Sequence, residues 1–365
     1  MALTTTSVVT APVNVVFQTN LLRNARANCP YFFGTMPADI AEHSGTFTAK
    51  WRRYENITPA TTPLAELTGA VAFPTRTGSS PSITDVTATV QKYGDFFFLN
   101  EEVDLLNYNN QADKLSEVLG IQAGRTLNRL TRDVMEDNAT QFFSGTATTA
   151  TGLTGASTSS GFISSGNIDA IINALDRQDA LKFRPLTTGS TNINTSPIRS
   201  SYPCFIHPDT SASVRTFTNF VAVERYAGQT ETWPDEIGYC NGVRFIETTE
   251  SSVDLTTGVA ATSSSTTAGR STATRFDMYT AVIIGQEAVG TVGLGFEHIK
   301  EVYEAGDTLP GVQMISRPRG SAGAADPLNE VSSIGWKSWH AASILNSNWI
   351  RSLRHTNANV VNVGG

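Results

Sequence analysis

The chain has 365 residues, of which 40% are apolar and 16% charged, and its net charge is −7. That length suits one large or two medium domains, and the apolar share permits a real core. The acidic balance argues against tight non-specific nucleic-acid binding, which needs many neutralised phosphates, and no apolar run reaches the roughly 18 residues of a membrane span.

Residues 1–44 read as an irregular arm, with a short amphipathic piece over 17–27 that Pro30, Gly34 and Pro37 interrupt. Residues 45–95 read as a long hairpin-like excursion. In "TFTAKWRRYE", Phe47, Ala49 and Trp51 alternate with Thr48, Lys50 and Arg52. In the return strand, "DVTATVQKY", Val86, Ala88 and Val90 alternate with Thr87, Thr89 and Gln91. The intervening residues 56–82 are rich in Pro and Gly, and a connection of that length is usually functional. Residues 114–143 are the strongest helix, with an apolar stripe of Leu115, Val118, Leu119, Leu127, Leu130, Val134 and Met135.

A low-complexity loop follows. Then comes a second helix from Asn167, its predicted N-cap, with Ile168, Ile171, Ile172 and Leu175 as its stripe. "YPCFIHPDT" reads as a buried strand ended by His-Pro, and "SASVRTF" as helical at first. "GYCNGVRFIETTE" reads as a hairpin turning at Asn241–Gly242. Residues 251–274 form a second Ser/Thr tract. "RFDMYTAVIIGQEAVGTVGL" is strand, turn, strand, and the chain closes on a stretch carrying Trp336, Trp339 and Trp349. The fold class is therefore α+β: arm, hairpin, long helix, mixed body, closing segment.

No catalytic motif emerges. "GTVGLGF" inverts the dinucleotide fingerprint and lacks its strand–helix setting, so it reads as a glycine-rich turn. There is no phosphate-binding loop and no nucleophile elbow. The five His show no zinc spacing, and His207 reads as a strand-ending residue rather than a catalytic one. The carboxylates Glu101, Glu102 and Asp104, and Asp133, Glu136 and Asp137, read as solvated or salt-bridged faces beside Arg-rich helix segments. Three Cys (Cys29, Cys204, Cys240), with no pairing motif, fit a reducing compartment. The opening residues have neither the basic nor the apolar region of a signal peptide. No metal and no cofactor are expected.

What stands out is Lys50, Trp51, Arg52, Arg53 and Tyr54, three cations and two aromatics on an exposed arm. A nucleic-acid grip is one reading. An inter-subunit contact fits better, because hot spots favour Trp, Tyr and Arg. Of the 26 basic residues 20 are Arg, which tolerates interface desolvation better than Lys, and the low charged share suits a surface covered by neighbours.

Three stretches carry a family resemblance: "GTFTAKWRRYENITPATTPLAEL", "TATVQKYGDFFFLNEEVDLL" and "PLNEVSSIGWKSWHAASILNSNWI". In order and spacing they resemble the major capsid proteins of tailed bacteriophages, most closely those of the enquatrovirus-type podoviruses. "QKYG" in place of that family's "QYG", and the tract at 251–274, are departures from its pattern. The resemblance implies the Hong-Kong-97-type (HK97-like) capsid fold. It assigns 1–44 to an N-terminal arm, 45–95 to an extended loop, and 96–184 to a peripheral domain with its spine helix at 114–143. It assigns 185–310 to an axial domain and 311–365 to a closing segment that returns to the peripheral domain.

The implied function is a non-catalytic subunit that assembles as hexamers and pentamers into an icosahedral head around double-stranded DNA, in the virion, after assembly in the host cytoplasm. A portal, a separate scaffolding protein or a decoration protein are the implied partners; contact with DNA is weak, and no membrane is involved. Lys50, Trp51, Arg52, Arg53, Tyr54 and Glu66 are the expected inter-subunit contacts, with Glu66 as the acidic partner across the boundary. The competing readings are an intracellular enzyme with an unrecognised site and a DNA-binding module built on residues 50–54.

Overall fold

The computed structural model describes residues 30–40, 45–55, 57–61, 63, 80–106, 111–153, 161–183, 196–227, 232–254, 277–294, 312–321 and 327–357. The expected piece at 17–27, Glu66 and most of the Ser/Thr tract at 251–274 lie outside the described residues.

A 3-10 turn, Pro30–Gly34, leads into β1 (Met36–Ile40). The alternation read in the arm forms a two-stranded ribbon of β2 (Thr48–Tyr54) and β3 (Ile83–Thr89), with Ala49 opposite Ala88 and Trp51 opposite Val86. Val90 passes the chain into β4 (Gln91–Asn100), a short helix, Glu101–Leu106, and the long helix, Gln111–Asn138. Next come β5 (Thr140–Phe143), the helix Ser165–Asp176, β6 (Tyr202–Ile206) and the helix Pro208–Val214. The strands β7 (Val221–Ala222), β8 (Glu236–Cys240), β9 (Val243–Glu247) and β10 (Val253–Asp254) follow. The last are β11 (Met278–Ile284), β12 (Val289–Leu294), β13 (Val312–Arg317), β14 (Val331–Ile344) and β15 (Ile350–His355).

Two larger sheets share this chain. One runs β1-β12-β14-β13, with β4 along the opposite edge of β14, so that Trp336 pairs with both Met314 and Asp95. The other runs β5-β15-β11-β6-β9-β8-β7, with β10 on β11. The closing segment therefore divides: β14 is central to the first sheet and β15 belongs to the second. Likewise β11 and β12, read as strand, turn, strand, join different sheets.

The long helix connects them. Its 28 residues extend about 42 Å at 1.5 Å per residue. Leu119, Ala123 and Leu127 pack with Phe32, Val312, Ile334 and Trp336 on the first sheet. Met135 packs with Tyr31, Phe205, Val282 and Ile350 under the second. The other face of the second sheet buries Ile168, Ile171, Ile172 and Leu175 of the following helix, the stripe expected from its spacing.

Three sequence expectations need correction. The long helix ends at Asn138, and Thr140–Phe143 is a strand paired parallel with β15. The helix is also turned relative to its apolar pattern: Val118 is 52% exposed, and Leu115, Leu130 and Val134 are only half-buried. Gly120, Ala123 and Gly124 lie buried on its inward side instead. Asn128 and Thr131 are buried there: the Asn128 Oδ1 accepts from the Tyr31 amide at 3.1 Å, and Thr131 Oγ1 lies 3.1 Å from His340 Nε2. Finally, Ser164 rather than Asn167 caps the second helix, its oxygen accepting from the Asn167 amide.

Candidate functional site

The Lys50–Tyr54 cluster sits on the ribbon, and the two faces of the ribbon have different fates. Ala49 and Trp51 point down onto the first sheet, where they join Ile40, Ala88, Val90 and Val292 in a small core with Trp339 and Ala341. Gly290 on β12 makes room for this: a Cβ there would lie 2.8 Å from the Trp51 ring. Trp51 is thus half-buried against its own chain.

The cations pair locally. Lys50 Nζ lies 2.5 Å from Asp85 Oδ2, and Arg52 Nε donates to Asp85 Oδ1 at 3.0 Å. Hydrogen bonds from Arg52 and Lys50 hold the Asp85 carboxyl below the usual carboxylate range. Arg53 reaches 2.9 Å to the Leu345 carbonyl and 2.6 Å to Glu55, and that bond in turn lowers the Glu55 pKa. Tyr54, at the far end of β2, is 65% exposed. The expected acidic partner across the boundary, Glu66, lies outside the described residues; within the chain, Asp85 and Glu55 pair with these cations. Asp85 escaped the sequence reading because only the register sets it opposite Arg52.

A second polar cluster ties the long helix to the second sheet. Arg125 Nε and Arg129 Nε donate to the two oxygens of Glu250 at 2.6 and 2.5 Å, and Arg132 donates to the Glu250 carbonyl at 2.6 Å. Burial pushes the Glu250 pKa up, but the two guanidinium partners prevail and hold it below the ordinary glutamate value. Glu136, expected on a solvated face, is buried, and desolvation raises its pKa.

The groups weighed for chemistry are structurally employed. His207 Nδ1 accepts from the Asp209 amide at 3.2 Å and so caps the helix Pro208–Val214. Cys204 and Cys240 are buried, and burial pushes the Cys240 thiol up to about 11 and Cys204 higher still. Burial thus disfavours the thiolate form, the reactive one, at both positions. Among the described residues no three His, Cys, Asp or Glu converge to hold a metal ion.

Residues 103–298 match the family described as phage capsid protein. The fold is similar to the capsid of Ralstonia phage GP4, with a TM-score of 0.60 at 9% identity over 90% of this chain and 92% of that one. It is also similar to the head structure of Helicobacter pylori bacteriophage KHP40, with a TM-score of 0.52 at 10% identity over 90% and 91%. For Microbacterium phage Oxtober96 the TM-score is 0.51 at 9% identity over 89% and 90%. At such identities the likeness concerns the fold. No curated protein matches the chain in sequence.

Proposed function

The chain belongs to the phage capsid protein family, and we propose that it acts by assembly, as the repeating subunit of a tailed-phage head. A structural major capsid role rests on one observation above the others: the family match over residues 103–298, more than half of the sequence.

The finer reading is ours. The three motifs of the sequence support a place among the enquatrovirus-type podoviruses. The long helix with the first sheet would be the peripheral domain, and the second sheet with its helices the axial domain. Copies would gather as hexamers and pentamers in an icosahedral shell, formed in the host cytoplasm around a scaffold and a portal. The net charge of −7 supports a wall that touches packaged double-stranded DNA weakly.

A two-stranded ribbon is marginal alone, and here its root is seated on its own sheet by Trp51. Beyond that root, exposed Tyr54 and the half-exposed Lys50 and Arg52 would meet a neighbouring subunit. Nothing favours the DNA-binding alternative at this cluster, since Asp85 already neutralises part of its charge.

Negative-stain microscopy and light scattering of the concentrated purified chain test the reading together. Closed shells or rings of five and six subunits are expected. A small, stable dimer with no larger species would overturn it.

A further inference from the structure

The first sheet has two faces of unlike fate. Residues of even number on β14 face the long helix, as Trp336 and Ile334 do. Residues of odd number face away, with the even residues of β4 beside them in register. At one end of this outward face the chain's own ribbon covers Trp339, Ala341 and Val292. At the other end the face is bare among the described residues: Phe96 is 58% exposed, Phe98 71% and Ile315 37%. Register places Phe96, Gly335 and Ile315 in one row across three strands. Gly335, with no side chain, lets β4 come close: a Cβ there would lie 2.6 Å from the Phe96 Cβ.

The charges on this face are all of one sign. Among the described strand residues Lys92, Lys337 and Arg317 share it by register, and no carboxylate does. An apolar centre with a cationic rim demands an occupant with apolar side chains and carboxylates. The remainder of a chain of net charge −7 is still more acidic once these three cations are set aside. Exposed aromatics on such a face mark an interaction site.

We propose that the bare half of this sheet face docks a second copy of the same chain, as a contact that extends the surface on which each chain seats its own ribbon. The proposal rests on the capsid reading above. A single nucleic-acid strand is a poorer occupant: Phe96 and Phe98 meet edge to face, 5.0 Å apart at 78°, which spends ring surface on each other rather than on bases.

The test is the double variant Phe96→Ser/Phe98→Ser in the full chain, compared with wild type for melting curve and for the concentration threshold of shell formation by light scattering. Both side chains are exposed, so the melting curve should be unchanged while the threshold rises at least tenfold. The variant Lys337→Glu/Arg317→Glu should also raise the threshold in dilute salt, and less so at about 1 M, where charges are screened within about 3 Å. Hydroxyl-radical footprinting should find Phe96 and Phe98 protected in wild-type shells and reactive in the free subunit.

Wild-type shells whose threshold the serine variant leaves unchanged would overturn this inference and spare the capsid reading. A wild-type chain that never assembles and keeps Phe96 and Phe98 reactive would overturn both. Phe-dependent binding of a fluorescent single-stranded oligonucleotide, with assembly unaffected, would assign the face to nucleic acid instead.

Discussion

At Glu250, one carboxylate holds two arginines of the long helix, and its side chain is 6% exposed. Hydrogen bonds to charged groups contribute about 1.5–3 kcal/mol each, net of solvation. Glu250→Gln keeps the shape and removes the charge, so we expect about 2 kcal/mol of lost stability in urea unfolding, on the scale of one such bond. Loss of much less would show that the arginines are equally well satisfied by water.

The buried histidines make a pH prediction. Burial lowers the pKa of His340 and His355 to about 4 from 6.5. The unfolded chain therefore binds more protons than the folded one between those values, and stability should fall as pH drops from about 7 to about 4, by up to about 1.4 kcal/mol per pH unit for each group. Raised Glu136 and Glu236 act in the opposite sense, gaining stability as pH falls, because burial disfavours their charged forms. His340→Gln, which can still bond Thr131, should flatten the acid limb of a stability–pH curve; an unaltered limb would remove His340 from the account.

At the scale of elements, the long helix and the ribbon respond differently to substitution. Leu127 is fully buried between helix and first sheet. Leu127→Ala should cost about 2–5 kcal/mol, and Leu127→Asp should leave no folded subunit. Val118→Asp, on an exposed site, should fold normally by circular dichroism. If the two aspartate variants behaved alike, the assigned face of the helix would be wrong.

The ribbon is seated by a glycine. Gly290→Val would drive a side chain into the Trp51 ring and should unseat β2 and β3 while the second sheet stays intact. Limited proteolysis within 45–90 should then speed up severalfold with little change in the main thermal transition. An unchanged cleavage rate would mean the ribbon is held elsewhere.

At the scale of the whole molecule, the long helix reaches both sheets, and the adjacent Tyr31 and Phe32 divide between the two cores. Bending the two sheets relative to each other would disturb both, so the subunit should unfold in one cooperative transition by calorimetry. Two resolved transitions would show that the sheets unfold as separate units. A body with a seated ribbon and, among the described residues, a bare cationic face suits repeated heterologous contacts, in which unlike patches meet around a closed symmetry.

The sequence by itself determined those features that local periodicity and turn chemistry can carry. The ribbon's alternation, the long helix, the wholly buried β6 and the hairpin at Asn241–Gly242, with φ of 49° and 93°, were all legible. Three short motifs pointed to the family before any contact was known.

Tertiary structure alone decided which sheet each strand joins, because pairing partners such as β4 and β14 lie far apart in the chain. It turned the long helix so that Gly120, Gly124, Asn128 and Thr131 are buried, positions that apolar counting ignores. It gave Lys50 and Arg52 a partner in Asp85, and it exposed the face around Phe96. Register, close approach and exposure belong to the packed chain, and a linear pattern does not encode them one residue at a time.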